Sequence, residues 1–212
     1  MKFNFKLGAD VQCKEEQHGK LAGVVVEPGA RRITDIIVKE GLLFTQAHVL
    51  PLALVQSAFE EALYLSISSH EVDQYPEYRT TVYEHPAAGY EGAGGGMSYS
   101  DMAGGRDPIV PMVKEKIHEG IATGHVLLDS GTPVHNLDGS IGKVEHVIAD
   151  RVSGTITHLV VHRGLIFAER LVIPASTVED LGAERILIAG ANEMLDQFAH
   201  YTPESMDRVL AE

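Results

Sequence analysis

The 212-residue chain has no tryptophan, one cysteine and few aromatic residues, and each shortage narrows what the protein is. Aromatic residues make up 6% of the sequence, so a core must be built mainly from valine, isoleucine and leucine. Because Cys13 has no second cysteine to pair with, an intrachain disulfide is excluded and a reducing compartment is expected. Apolar runs such as 49–55 are far shorter than the roughly 20 residues of a membrane span, and the first residues lack a signal peptide's apolar stretch. The sequence therefore predicts a cytoplasmic protein without a transmembrane segment.

Positive charge is also scarce. The chain carries 17 lysine and arginine residues against 30 acidic ones, which gives a formal net charge of −13. No cluster of basic residues interrupts this surplus, so the surface is expected to repel phosphate backbones. Direct binding of nucleic acid is therefore not expected. The hydrophobic fraction of 44% is ordinary for a globular protein, so a true core can form.

A sequence repeat dominates what is present. Gly41 and Gly164 are 123 residues apart, and the same offset aligns the chain without a gap from Gly8 to Tyr78. Chance similarity does not hold one register over so long a stretch, so the sequence predicts two homologous units. The aligned residues include Gly19-Lys20 with Gly142-Lys143, Ile33-Thr34 with Ile156-Thr157, Pro51 with Pro174, and Val55 with Val178.

Each unit contains short alternating or apolar runs separated by turn residues, which is typical of β-strands. Residues 69–75 and 192–200 are predicted to form a short closing helix at the end of each unit. Five or six short strands per unit predict a mainly β protein made of two tandem small β-barrels, each closed by a short helix. The predicted domains are a first barrel at 1–78, a flexible glycine- and tyrosine-rich linker at 79–122, a second barrel at 123–203 and a C-terminal tail at 204–212.

The turns and core positions of both units match a known family of small β-barrels. In the second unit the matching residues are Gly131-Thr-Pro-Val134, Asp138-Gly-Ser-Ile-Gly-Lys-Val144, Asp150, Ile156-Thr-His-Leu-Val-Val161, Gly164, Phe167 and Ile173-Pro174. The first unit matches more loosely, at Asp10-Val11, Gly19-Lys20, Ile33-Thr34, Val38, Gly41 and Phe44. On these residues both units resemble the PRC-barrel family, which includes the cytoplasmic domain of the reaction-centre H subunit and the C-terminal domain of a ribosome-maturation factor. The resemblance implies a β-barrel adaptor that docks on protein partners, and it carries over no catalytic residues.

One stretch is similar to an enzyme motif. Two leucines followed by Asp129, Ser130, Gly131 and Thr132 resemble the active-site loop of aspartic proteases. That chemistry needs a second aspartate that shares a proton with the first. The 123-residue offset places Lys6 at the equivalent position, so only a homodimer could supply the second carboxylate. A strand-end turn is the favoured reading of this motif.

Three histidines could meet in the second unit. His158 and His162 alternate on one strand and His146 lies on the preceding strand, so their imidazoles are candidate zinc ligands. The first unit has Gly23, Asp35 and Lys39 at the equivalent positions, so its fold does not require a metal. Solvated strand histidines are the favoured reading.

Two apolar tips follow glycine turns where polar residues are usual. They are either plugs that fold back into their own barrels or an exposed patch that contacts a partner. As candidate partner-binding residues they comprise Leu42, Leu43, Phe44, Leu165, Ile166 and Phe167.

The sequence thus predicts a non-enzymatic adaptor or assembly factor that binds an unknown protein partner and needs no cofactor. The two barrels are expected to dock on each other or to homodimerise, because a barrel this small buries a marginal core. One alternative is a ribosome-assembly factor that contacts a basic ribosomal protein. A more remote alternative is the Asp129 hydrolase acting as a homodimer.

Overall fold

A computed structural model describes residues 2–40, 46–86, 112–164 and 169–211, with the backbone alone at 82–86 and 112–117. The fold is mainly β, which confirms the predicted class. The first repeat contains β1 (Lys2–Lys6), β2 (Asp10–Gln12), β3 (Gln17–Glu27), β4 (Arg32–Glu40), β5 (Gln46–Pro51), β6 (Val55–Ala58), β7 (Ala62–Leu65) and α1 (Ser69–Val72). A 3₁₀ turn at Leu52–Leu54 joins β5 to β6.

The second repeat follows the same order of elements after a hairpin of β8 (Arg79–Pro86) and β9 (Met112–Glu119). Its 3₁₀ turn at Ala175–Thr177 matches that at Leu52–Leu54, and a 3₁₀ helix at Asn192–Gln197 stands where the first repeat has α1. Its other elements are β10 (Val126–Asp129), β11 (Pro133–Asn136), β12 (Gly139–Asp150), β13 (Ile156–Arg163), β14 (Glu169–Pro174), β15 (Val178–Leu181), β16 (Ile186–Ile188), β17 (Ala199–His200) and α2 (Pro203–Ala211).

Two repeated glycines permit the close approach of neighbouring strands. A β-carbon at Gly19 would collide with the backbone carbonyl oxygen of Lys39, and one at Gly142 would collide with that of His162. The sequence match at these two positions is therefore explained by backbone contact, because only glycine leaves room for the adjacent strand.

The first strands of the two repeats are exchanged. β1 pairs antiparallel with β12 of the second repeat, from Lys2 opposite Asp150 to Lys6 opposite His146. Reciprocally, β10 pairs antiparallel with β3 of the first repeat. Residues of both repeats consequently form one hydrophobic core, and residues 1–78 and 120–212 form a single compact unit.

The two hairpin loops that precede β4 and β13 also meet. The Ile33 N–H donates to the Gly154 carbonyl oxygen at 2.9 Å, and the Ile156 N–H donates to the Arg31 carbonyl oxygen at 2.8 Å. Ile33 is equivalent to Ile156 and Arg31 to Gly154, so each bond is the counterpart of the other. The repeats are therefore related by an approximate two-fold axis that passes between these loops.

The described residues do not form the two separate closed barrels that the sequence predicted. The strand orders are β5-β4-β3-β2-β7-β6 and β15-β16-β11-β12-β13-β14-β17, and neither path returns to its first strand. The cause lies in the long strands β3 and β12. One half of each pairs with the short second strand of its own repeat, and the other half pairs with the first strand of the other repeat.

The ends of the predicted linker are strands. β8 and β9 form an antiparallel hairpin from Arg79 opposite Glu119 to Pro86 opposite Met112, and residues 79–119 form a second compact unit. The sequence predicted a flexible connection here because the segment lacks hydrophobic periodicity. The pairing of its two ends was missed because composition does not reveal which distant residues lie side by side.

The short helices are explained by local chemistry. α1 begins with a capping box, in which the Ser68 N–H donates to a Glu71 carboxylate oxygen at 2.8 Å. The predicted tail forms α2, whose Met206 packs on Ile148, Val160 and Val172 of the second repeat. Among the described residues, no helix has the length and apolar character needed to cross a membrane.

Candidate functional site

The two apolar tips predicted to bind a partner, Leu42–Phe44 and Leu165–Phe167, lie outside the described residues. Candidates for a partner-binding surface among the described residues therefore lie in other parts of the compact unit formed by the two repeats.

The Asp129 carboxylate is occupied by its own turn. One of its oxygens accepts hydrogen bonds from the Gly131 N–H at 2.8 Å and from the Thr132 hydroxyl at 3.1 Å, while the Asp129 N–H donates to Thr132 Oγ1. This arrangement shapes the turn at the end of β10, as aspartate commonly does. Its geometry accords with the structural reading of the Asp-Ser-Gly-Thr motif.

The three histidines of the second repeat occupy different environments. His146 is fully buried, whereas His158 and His162 are half-buried. His146 lies opposite Val160 in the β12–β13 pairing, with His158 and His162 two residues to either side on β13. Within the described parts of the chain, no group of three or more His, Cys, Asp or Glu side chains is placed to hold a metal ion.

His146 is instead the centre of a polar cluster between the repeats. Its Nδ1 lies 2.8 Å from Asn4 Oδ1 on the exchanged strand β1, so Nδ1 carries the proton in this contact. The centroid of the His146 ring lies 5.1 Å from that of the Tyr201 ring. The Arg170 guanidinium lies over the Tyr201 ring. Tyr201 in turn donates to Glu60 at 2.7 Å, which ties the cluster to the first repeat.

Burial lowers the pKa of His146 to about 4, so the imidazole is neutral at physiological pH. Its Nε2 is therefore unprotonated and has no hydrogen-bond partner among the described residues, and the Glu145 carboxylate lies 3.8 Å away, beyond hydrogen-bond distance. Burial and the bond to Glu60 raise the pKa of Tyr201, and the same bond lowers the pKa of Glu60. A neutral imidazole thus lies among charged side chains at the junction, and its bond to Asn4 and the bond from Tyr201 to Glu60 link the two repeats.

A groove lies beside the approximate two-fold axis. Its volume is about 420 Å³. Polar and apolar surface contribute about equally to its walls, and Arg32 and Arg151 are among the lining residues. The Arg32 guanidinium is paired with the Glu27 carboxylate at 2.7 Å, and Arg151 lies over the Phe3 ring at 5.8 Å from its centroid. The lining residues are Phe3, Arg32, Ile33, Thr34, Leu52, Ala53, Val55, Arg151, Val152 and Ser153.

One wall of this groove is a loop fixed by Asp150. An Asp150 carboxylate oxygen accepts bonds from the N–H groups of Val152 at 3.0 Å and Ser153 at 2.8 Å, and from the Ser153 hydroxyl at 2.9 Å. The bonds from Ser153 lower the pKa of Asp150. The loop ends at Gly154, whose φ of +71° suits glycine. This turn holds the Val152 side chain 96% exposed at the rim of the groove.

A second cavity of about 250 Å³ adjoins the groove, because Phe3 and Arg151 line both. Ala58, Phe59 and Leu210 complete most of its apolar lining. Phe59 is 55% exposed and packs edge-on against Tyr64. We call the groove and this cavity together the inter-repeat surface.

Sequence reasoning did not identify the inter-repeat surface. Its residues come from β1, the start of β4, the turn after β5, β6 with the residue after it, the loop after β12, and α2, which the strand exchange brings together. One available signal was Val152, an apolar residue in a short turn where polar residues are usual.

Scans of the sequence against models of protein families and against curated proteins find no match.

Proposed function

We propose that the chain is a non-enzymatic adaptor that binds a protein partner, built from two PRC-type repeats that have exchanged their first strands. The observation that carries this proposal is the apolar rim of the inter-repeat surface. Val152 is held 96% exposed by a turn with three hydrogen bonds to Asp150. An apolar side chain held in water beside the groove makes binding favourable, because a partner that covers it removes apolar surface from water.

The chemistry of the other candidates supports binding over catalysis. The Asp129 carboxylate accepts bonds within its own turn, and the His146 imidazole is buried and neutral. A general base must reach a substrate proton, and neither group lies on the inter-repeat surface.

The test is affinity purification of the full chain from the cells that make it, using the double variant Val152→Asp and Phe59→Ser. Both side chains are exposed, so the variant is expected to keep its melting temperature and to lose the partners that co-purify with the wild type. The matched control is Leu137→Ser, which removes an apolar side chain that is 76% exposed and lies outside the inter-repeat surface. Equal recovery of the same partners by the wild type and the double variant would refute the proposal.

A further inference from the structure

The internal two-fold symmetry allows each half of the inter-repeat surface to be compared with its counterpart. On the other side of the axis, at the turn Ala175–Thr177, Arg31 extends from the first repeat across to the second. Its Nη1 donates to the Ala175 carbonyl oxygen at 3.0 Å and its Nη2 donates to the Val178 carbonyl oxygen at 2.6 Å. A single guanidinium therefore bridges two backbone acceptors at the 3₁₀ turn of the other repeat.

The residue equivalent to Arg31 is Gly154, which has no side chain to reach back across the axis. The carbonyls equivalent to those of Ala175 and Val178 belong to Leu52 and Val55, and both residues line the groove. A β-carbon on Gly154 would lie 2.8 Å from the Ile33 carbonyl oxygen and 2.8 Å from Leu52 Cδ2, and Leu52 stands where the counterpart has the smaller Ala175. The groove thus adjoins the acceptor turn that an arginine of the chain itself reaches on the other side.

The acceptor turn has the same conformation on both sides. The residues that precede the two 3₁₀ turns have φ/ψ of −56°/139° and −62°/137°, and those that follow have −78°/116° and −74°/120°. In both turns the N–H of the last valine donates to the first carbonyl, from Val55 to Leu52 and from Val178 to Ala175. The remaining acceptor directions are therefore preserved in the groove.

We propose that the groove binds an arginine side chain of the partner protein, whose guanidinium bridges the carbonyl oxygens of Leu52 and Val55. This inference rests on the proposed adaptor function and specifies the chemistry of its partner. The apolar residues of the lining, such as Leu52, Val55 and Val152, suit the methylene stem of an arginine. A lysine ammonium is a compact charge and does not span two separated acceptors as the guanidinium fork does.

Two arginines contribute charge to the lining of the groove. The Arg32 guanidinium is paired with the Glu27 carboxylate, whereas Arg151 lies over the Phe3 ring and keeps its positive charge. The net charge of −13 produces a negative potential that favours encounter with a basic partner. The same negative potential would repel an acidic peptide.

The test uses the full chain and capped five-residue peptides that differ only in a central arginine, lysine, leucine or glutamate. Binding is followed through NMR shifts of the backbone amides of Leu52, Ala53, Ser153 and Gly154. The arginine peptide is expected to shift these amides with an affinity about tenfold or more above that of the lysine peptide. Ala53→Trp, which places a large ring at an exposed groove position, is expected to abolish the shifts.

Arg31→Gly provides a second and independent readout. The φ of +49° at Arg31 is easily adopted by glycine, so the backbone is expected to survive the change. Removing the side chain empties the counterpart site, and the arginine peptide is expected to bind at two sites, with new shifts at the amides of Ala175 and Val178.

Three outcomes would overturn the inference. Equal binding of the leucine peptide would remove the arginine specificity but leave the adaptor function intact. Preferential binding of the glutamate peptide, lost in Arg32→Gln, would identify an acidic partner instead. If no peptide shifts the groove amides and Arg31→Gly adds no site, the arginine site is refuted, and recovery of partners by the Val152 and Phe59 double variant decides separately whether the adaptor proposal stands.

Discussion

The buried histidine at the junction of the repeats predicts a pH-dependent stability. His146 is fully buried, and its Nδ1 donates to Asn4 of the exchanged strand. Protonation would place a positive charge in this junction. The charged groups near the ring are Glu60, Lys6, Arg170 and Glu145, and the Glu145 carboxylate, 3.8 Å from Nε2, is paired with Arg170 at 2.9 Å. Burial outweighs the favourable effect of Glu60. The native state therefore disfavours the imidazolium.

The magnitude follows from the difference in pKa between the unfolded and folded states. The unfolded imidazole titrates near 6.5 and the folded one at about 4, so the unfolded chain binds more protons between these values. The contribution of His146 is fully present above pH 7 and falls as the pH drops toward 4. It amounts to about 2 kcal/mol lost between pH 7 and pH 5, and about 3 kcal/mol once the folded form is protonated.

The assay is urea unfolding at a series of pH values from 7.5 to 4.5 for the wild type and for His146→Gln. The variant lacks the titrating ring, so its free energy of unfolding is expected to fall less by about 2 kcal/mol over the same range. His70→Gln is the matched control because His70 is exposed on α1. Comparison between variants removes the contribution of the carboxylates and other histidines.

Parallel pH profiles for the wild type and His146→Gln would refute this reasoning. A direct check is the proton NMR titration of the His146 ring, which is expected to show a midpoint well below 6.5. A midpoint at the ordinary histidine value would mean that the ring is solvated and that the junction is more open than its contacts indicate.

Further predictions concern the exchanged strands. Phe5→Ala removes a fully buried ring from β1 and is expected to lower the free energy of unfolding of the whole two-repeat unit by about 3–5 kcal/mol. Urea denaturation is expected to show one transition, and two separate transitions would contradict the shared core. Residues 1–78 and 120–212, produced as separate chains, are expected to combine as a 1:1 complex in sedimentation experiments, because each lacks the strand that pairs with its long strand; folded monomers of each would argue against this. Gly142→Ala is expected to destabilise the protein by roughly 1–3 kcal/mol in the same denaturation assay, since the added carbon meets the His162 carbonyl, and a change near zero would show that the strands can separate locally.

The sequence determined the repeat and most of the local structure. Matching turns, apolar strands and glycines at one offset predicted two homologous β units, and the repeated Gly19 and Gly142 lie in the equivalent strands β3 and β12. These features depend on backbone dihedrals and on the alternation of side chains, which neighbouring residues control.

Only the tertiary structure decided which strands pair. Alternation shows which face of a strand is buried but not which strand lies beside it, so exchange of β1 and β10 was not predictable. The side chains agree with it after the fact. Asn4 meets His146 on one side of the axis, and Leu127 covers Gly23 on the other.

The functional contrast between the halves was likewise hidden in the repeat. Arg31 and Gly154 occupy equivalent positions but differ in side chain, and each contacts the repeat to which it does not belong. Their meaning depends on contacts between residues more than a hundred positions apart, which the folded backbone establishes. The sequence thus specified two similar units, whereas their mutual packing created the surface on which they differ.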